Sequence, residues 1–194
     1  MATTYIPPMP APAPVPIYDN ALENVFHDNI VGVMTFDPTL VRPRWQPEPP
    51  NQPAFTTDWV AFGVTVTDSD KFAYQVHDPT ANSGLGADQF EKDERIEILL
   101  SFYGPNSYMN SKLYGDGLQI DRNRDDLLAY GIKFVEVSEA RNVPALLKDK
   151  WVKRVDVTAT FRRRIKRTYG IVTVVGIAPG TINNEQYTTS FKLP

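Results

Sequence analysis

The side chains that could do chemistry in this chain are few and scattered. His27 stands beside Asp28 and His77 beside Asp78, and the chain has no other histidine and no cysteine. A metal centre or a general base needs partners that converge on it, so each imidazole reads as a structural residue at or near the surface. Serines, threonines and carboxylates are plentiful, yet no GxSxG, HExxH or Walker pattern is formed. Gly84-Leu85-Gly86 and Gly115-Asp116-Gly117 lack the further glycine or lysine, and the strand-to-helix setting, of a phosphate-cradling loop. They fit turns and helix ends instead. No enzyme activity, metal or cofactor is expected.

What remains is charge. Lys150 to Arg167 holds eight of the 20 basic residues against one acid, a local charge of +7 that leaves −10 for the rest of a chain whose net charge is −3. Arg162-Arg163-Arg164-Ile165-Lys166-Arg167 could hold a phosphate backbone in a salt-dependent way. The other reading is a basic strand that meets an acidic surface of a neighbouring subunit, with Glu91, Asp93, Glu94 and Glu97 as its counterpart. The second reading is preferred, because no stacking aromatics interleave with the cations and the whole chain is acidic. Alternation points Arg154, Asp156, Arg162, Arg164 and Lys166 outward and Val155, Val157, Ala159, Phe161 and Ile165 inward, with Arg163 on the inward side and Arg167 at the end of the run.

The elements that must carry these charges follow from pattern. At 194 residues and 42% hydrophobic composition the chain can bury roughly 70% of its unfolded surface, as one domain with appendages. The lack of cysteine fits a protein assembled in the cytosol, and no run approaches the roughly 18 apolar residues of a membrane helix. Six prolines lie between Pro7 and Pro16 and six between Pro38 and Pro53. The first block predicts an extended arm over 1–17 and the second a long irregular connection that pins Trp45 to the fold. Between them Leu22, Val25, Phe26, Ile30 and Val33 predict a helix over 20–33, capped by Asp19 or Asn20. Period-two patterns predict strands at 57–67, 94–103, 132–137, 151–165 and 169–178, with 71–77 returning as the hairpin partner of the first. Tyr108, Met109, Leu113 and Leu118 predict a helix after Pro105. Leu127 and Leu128 predict a second, capped by Asp121 or Asn123 and stopped by Gly131, and Val143 to Lys150 predicts a turn or short helix. The expectation is one α+β domain over 18–180, a mainly antiparallel sheet with helices packed on one face, followed by a polar C-terminal tail over 181–194.

Along this frame run Phe102-Tyr103-Gly104-Pro105, Asp116-Gly117-Leu118, Asn123, Val143-Pro144, and Trp151-Val152 followed by Arg154-Val155-Asp156. Their order and spacing, over about Thr57 to Gly180, resemble the tail terminator, or neck terminator, family of long-tailed bacteriophages. The resemblance implies a structural virion protein of the tail and neck, made in the host cytoplasm, whose subunits close into a hexameric ring on the tail tube. It implies the tail tube protein and the head-tail connector or stopper protein as partners, leaves a tail sheath contact open, and lets genome DNA pass without specific binding. No membrane contact is implied. A closed ring needs two different complementary patches per subunit, and the +7 segment and the −10 remainder are the candidates. Outside the matched stretch, Ile6, Val15, Ile17, Tyr187, Phe191 and Leu193 are apolar anchors with which arm and tail could order on a neighbour. Another neck or tail ring component, a stopper or tube-like protein, and a nucleic-acid-binding module are the alternatives.

Overall fold

The computed structural model describes residues 16–48, 50–81, 86–147, 149–170, 181–184 and 187–190, with the backbone alone for 147 and for the last two segments. The expectations for the arm to residue 15, for 171–180 and for 191–194, including the anchors Ile6, Val15, Phe191 and Leu193, lie outside the described residues, as does the side chain of Tyr187. In chain order the elements are α1 (Asp19–Met34), β1 (Val41–Pro43), β2 (Trp59–Ser69), β3 (Tyr74–Asp78), β4 (Ala87–Tyr103), α2 (Ser107–Gln119), α3 (Asp125–Ala129), β5 (Lys133–Val137), β6 (Arg141–Asn142), β7 (Ala145–Leu147), β8 (Lys150–Val152), β9 (Arg154–Gly170), β10 (Thr181–Asn184) and β11 (Tyr187–Ser190). Two compact units form, Met1–Ala73 with Glu91–Lys166 and Tyr74–Phe90 with Arg167–Pro194, so that β4 and β9 each run through both.

The main sheet has the order β1-β2-β4-β9-β5, with β6 also on β9. The short β1 lies parallel to β2, while β2 meets β4 antiparallel from Trp59↔Tyr103 to Ser69↔Glu94 across a bulge at Val64/Val66. On β9, Val155, Val157, Ala159 and Phe161 are buried, and Thr160 between the last two is buried with them. Val157, Ala159 and Phe161 join Phe62 of β2, Leu100 and Phe102 of β4, Phe26 and Ile30 of α1, Tyr114 of α2 and Leu127 of α3 in one core cluster. Phe26 and Phe161 sit with ring centroids 5.0 Å apart. Each such side chain contributes about 1.5–3 kcal/mol relative to exposure, so this cluster sets the positions of the surrounding strands.

Residues of the other parity build a layer of cations and rings. Trp59 stacks on Tyr103 at 4.2 Å and 6°, with Arg42 5.6 Å over the Trp59 ring and Arg154 5.7 Å over the Tyr103 ring. Trp45, from the Pro-rich connection, lies against Gly63, where a Cβ would come within 2.6 Å of its ring. The connection is thus pinned where the sequence places it, by a glycine that leaves room for an indole. Gly104 has φ +106 and packs on Asp58, whose carboxylate accepts from the Asn106 amide and side chain at 2.9 and 2.8 Å. This bond fixes the start of α2.

Several expectations are corrected. α1 starts with Tyr18 at the N-cap and no side-chain cap bond, because Asp19 takes φ 50 and is already the first helical residue. β3 pairs with β4, not with β2: β2 already has the Glu94-to-Tyr103 part of β4 as its partner, and β4 extends to Ala87. Of the turn or short helix expected over Val143 to Lys150, the helix is overturned: Ala145–Leu147 pairs antiparallel with Lys150–Val152, Leu146 opposite Trp151, and Lys153 separates β8 from β9. Tyr169 and Gly170 belong to β9, and the rest of the strand expected over 169–178 lies outside the described residues. The stretch expected as a polar tail contains the β10–β11 hairpin. Neither Asp121 nor Asn123 caps α3. Asn123 donates to the Gly117 carbonyl at 2.9 Å and accepts from Asn29 at 2.8 Å.

Of the four apolar residues that predict α2, only Leu118 is buried. Asn110, Ser111, Tyr114 and Leu118 are buried, while Tyr108, Met109 and Leu113 are each more than half exposed. The facing of the helix is set at the α1 contact, where a Cβ on Gly117 would lie 2.4 Å from Val33 and where the Tyr114 hydroxyl donates to Asn29 at 3.4 Å. Burial raises the Tyr114 phenol well above its ordinary pKa. Satisfying polar groups at this contact turns the apolar residues outward.

Candidate functional site

The charged residues converge where β4 and β9 lie side by side. Lys166 Nζ is 2.5 Å from Glu91 Oε1, Arg164 Nε is 3.0 Å from Asp93 Oδ1, Arg163 Nε is 2.5 Å from Glu94 Oε2, and Ser101 Oγ donates to Asp156 at 2.5 Å. Each step down β4 is matched by a step up β9, so the two strands are antiparallel and alternate residues of each fall on opposite faces. Glu91, Asp93 and Glu94, three of the carboxylates that the sequence offers to a neighbouring subunit, therefore meet the basic strand within one chain.

Burial divides these pairs. Arg163 and Glu94 have 1% and 7% of their side chains exposed. Arg163 also donates to the Ile17 carbonyl at 2.6 Å and lies 4.7 Å over the Tyr18 ring, while its Nη2 has no hydrogen-bond partner among the described residues. It clamps the segment leading into α1 against the sheet. Ile17, expected as an anchor on a neighbour, packs against the core of its own chain. On the opposite face Asp93 and Arg164 are open to solvent. The Arg164 hydrogen bond, with the charges of Arg164 and Arg162, holds the Asp93 carboxyl below the usual carboxylate range, against a smaller desolvation effect. Arg162 is exposed and borders a cavity of about 530 Å³ with Asp68, Asp70, Arg95 and Glu136.

The remaining predicted site residues lie elsewhere. Arg154 grips Asp156 with two bonds of 2.7 Å, raising the Arg154 pKa, and Arg44, just past the end of β1, reaches Ser101. Glu97 pairs with Arg95 on the same strand. Arg167 is exposed in the second unit. Sequence reasoning missed the Arg44–Ser101–Asp156–Arg154 chain and the clamp role of Arg163. The signal for the latter was present: an arginine on the inward parity of a buried strand requires a buried acid.

The histidines hold structure. His27 lies 3.0 Å from Asp28 and 3.2 Å from the Pro38 carbonyl, bridging α1 to the following turn. In the second unit His77 lies 2.7 Å from Asp88, which also accepts from Gln75 at 2.5 Å. No group of three or more acidic or histidine side chains that could hold a metal occurs among the described residues, and none of the described helices is long and apolar enough to cross a membrane.

The fold is mixed and mostly antiparallel, and β4 and β9 are joined by the ion pairs Glu94–Arg163, Asp93–Arg164 and Glu91–Lys166. The family model for phage neck terminator proteins matches residues 20–186, and the chain belongs to that family. It is a viral structural protein of the bacteriophage tail and neck, and its family is structural, not catalytic. A search of curated proteins found no match. The residues that carry the resemblance have physical roles: Gly104 makes a turn open only to glycine, Gly117 and Asn123 join α2 to α1, and Arg154 with Asp156 braces β9.

Proposed function

We propose that six copies of this chain close into a ring on the upper end of the tail tube, stop its growth and present a docking face to the head connector or stopper. The observation that carries the reading is the family match across 20–186, which takes in both units. In this reading the genome passes through the ring without specific contacts. Pairing of Arg163, Arg164 and Lys166 with acids of the same chain leaves less charge for phosphate and weighs against a nucleic-acid-binding module. Arg162, with no ion pair among the described residues, is the outward cation of the stripe open to a carboxylate of a neighbouring subunit or ring.

The test is mass measurement of the purified protein alone and with tail tubes, followed by imaging of tube ends. Closed rings of six at one tube end are expected. Long tubes formed by the protein itself would identify a tube subunit, and salt-sensitive heparin retention by a monomer would favour nucleic acid.

A further inference from the structure

Two of the exposed apolar surfaces of the first unit have no partner among the described residues, and they are unlike. One is the outward side of α2, where Met109 and Leu113 are more than half exposed one turn apart, Asp116 is exposed on the next turn, and Ile120 is exposed just past the helix end. Spacings of four, three and four keep these residues on one stripe. The other is the tip of the β7–β8 hairpin, where Trp151 is 74% exposed and faces Leu146, itself more than half exposed. Exposed Lys150 and Lys153 flank that pair, and Lys150 caps the half-exposed Phe55 ring at 5.3 Å.

A tryptophan presented this fully is a common anchor of an interface, and one such patch alone names no partner. Here the same chain carries a basic knob with an aromatic tip and an apolar helix stripe with an acid inside it. A contact repeated head to tail around a ring requires two different and complementary patches on each copy. We propose that the β7–β8 hairpin of one copy seats Trp151 and Leu146 on the Met109–Leu113–Ile120 stripe of the next, with Lys150 or Lys153 reaching Asp116. The occupant of each surface is a second copy of this chain. The inference rests on the ring reading above but assigns the contact to surfaces away from the β4–β9 charges.

The native chain has no cysteine, which permits a direct test. Trp151→Cys and Leu113→Cys proteins, each checked by circular dichroism, are treated with a short bis-maleimide linker alone and mixed. Linked dimers are expected in the mixture and not in either protein alone, and the doubly substituted chain should yield a ladder ending at the ring. Trp151→Glu should weaken assembly at least about tenfold, whereas Phe72→Glu, at another highly exposed aromatic, should assemble normally. Ring formation by the native protein with no 113–151 linkage in the mixed cysteine variants, or a Trp151→Glu protein that still forms rings, overturns the proposal and leaves the ring reading standing. A native protein that stays monomeric even with tail tubes overturns both. Linkage of Trp151→Cys to itself overturns the head-to-tail contact.

Discussion

Removing the charge of Glu94 isolates the energetics of the clamp at the start of α1. In the native chain the Arg163 guanidinium has Glu94 at 2.5 Å, the Ile17 carbonyl at 2.6 Å and the Tyr18 ring at 4.7 Å, and only 1% of its side chain is exposed. Glu94→Gln keeps the shape and leaves a buried cation without its counter-ion. Breaking one partner of such a pair costs about 3–5 kcal/mol. Because 1 kcal/mol moves Tm by about 2–4 °C in a chain of this length, the midpoint should fall by about 6–20 °C. The urea midpoint should fall with an unchanged slope. The double variant Glu94→Leu with Arg163→Met removes both charges and restores apolar packing. It should return to within about 2 kcal/mol of the native protein, because apolar replacement of a buried pair is often near neutral. A double-mutant cycle reads this as strong coupling. A loss below about 1 kcal/mol for Glu94→Gln, or a double variant as unstable as the sum of the singles, would refute a dehydrated and mutually dependent pair.

Helix glycines should respond in opposite directions. Gly32→Ala meets nothing within 4 Å and Gly115→Ala only Val137 at 3.8 Å, so each should gain up to about 1 kcal/mol from helix propensity, read by thermal melts. Gly117→Ala drives a Cβ to 2.4 Å from Val33, and overpacking of about 1–3 kcal/mol should outweigh the same gain. Gly104→Ala, with φ +106 and the Thr57 carbonyl 2.7 Å away, should lose more than Gly117→Ala by either melt or denaturant. Asp93→Asn should cost little, since both partners face solvent. Its deficit against the native protein should be present above about pH 4, the unfolded carboxyl pKa, and vanish as the pH falls through the lowered native pKa. A deficit that grows toward acid would contradict the Arg164 pairing.

Local pattern carried a large part of this fold. The four-residue spacing of Leu22, Phe26 and Ile30 placed α1 within one residue of its observed ends, and the alternation named Val155, Val157, Ala159 and Phe161 as the buried side of β9. In both, the period of the backbone decides which side chains share a face, and one buried face suffices to fix it. The phage family was legible too, through glycines and acid-base pairs at positions where turns and strand braces require them.

Partnership between segments was not legible in the same way. Whether β3 pairs with β2 or β4, and whether Glu91 and Asp93 serve a neighbour or their own chain, depends on which strand lies beside β9. The same holds for the direction in which α2 turns its apolar side. Tyr108, Met109 and Leu113 predict the helix but not its facing, which the polar contact of Tyr114 and Asn123 with Asn29 of α1 sets. The sequence alone determined the periods, the breaks and the sign of the charge along the chain, because these arise from neighbours within a few residues. Only the tertiary structure decided which carboxylate neutralises which cation and which apolar residues stay outside, because those outcomes depend on groups brought together from 69 residues apart for Arg163 and Glu94 and 85 for Tyr114 and Asn29, distances over which no local pattern carries information.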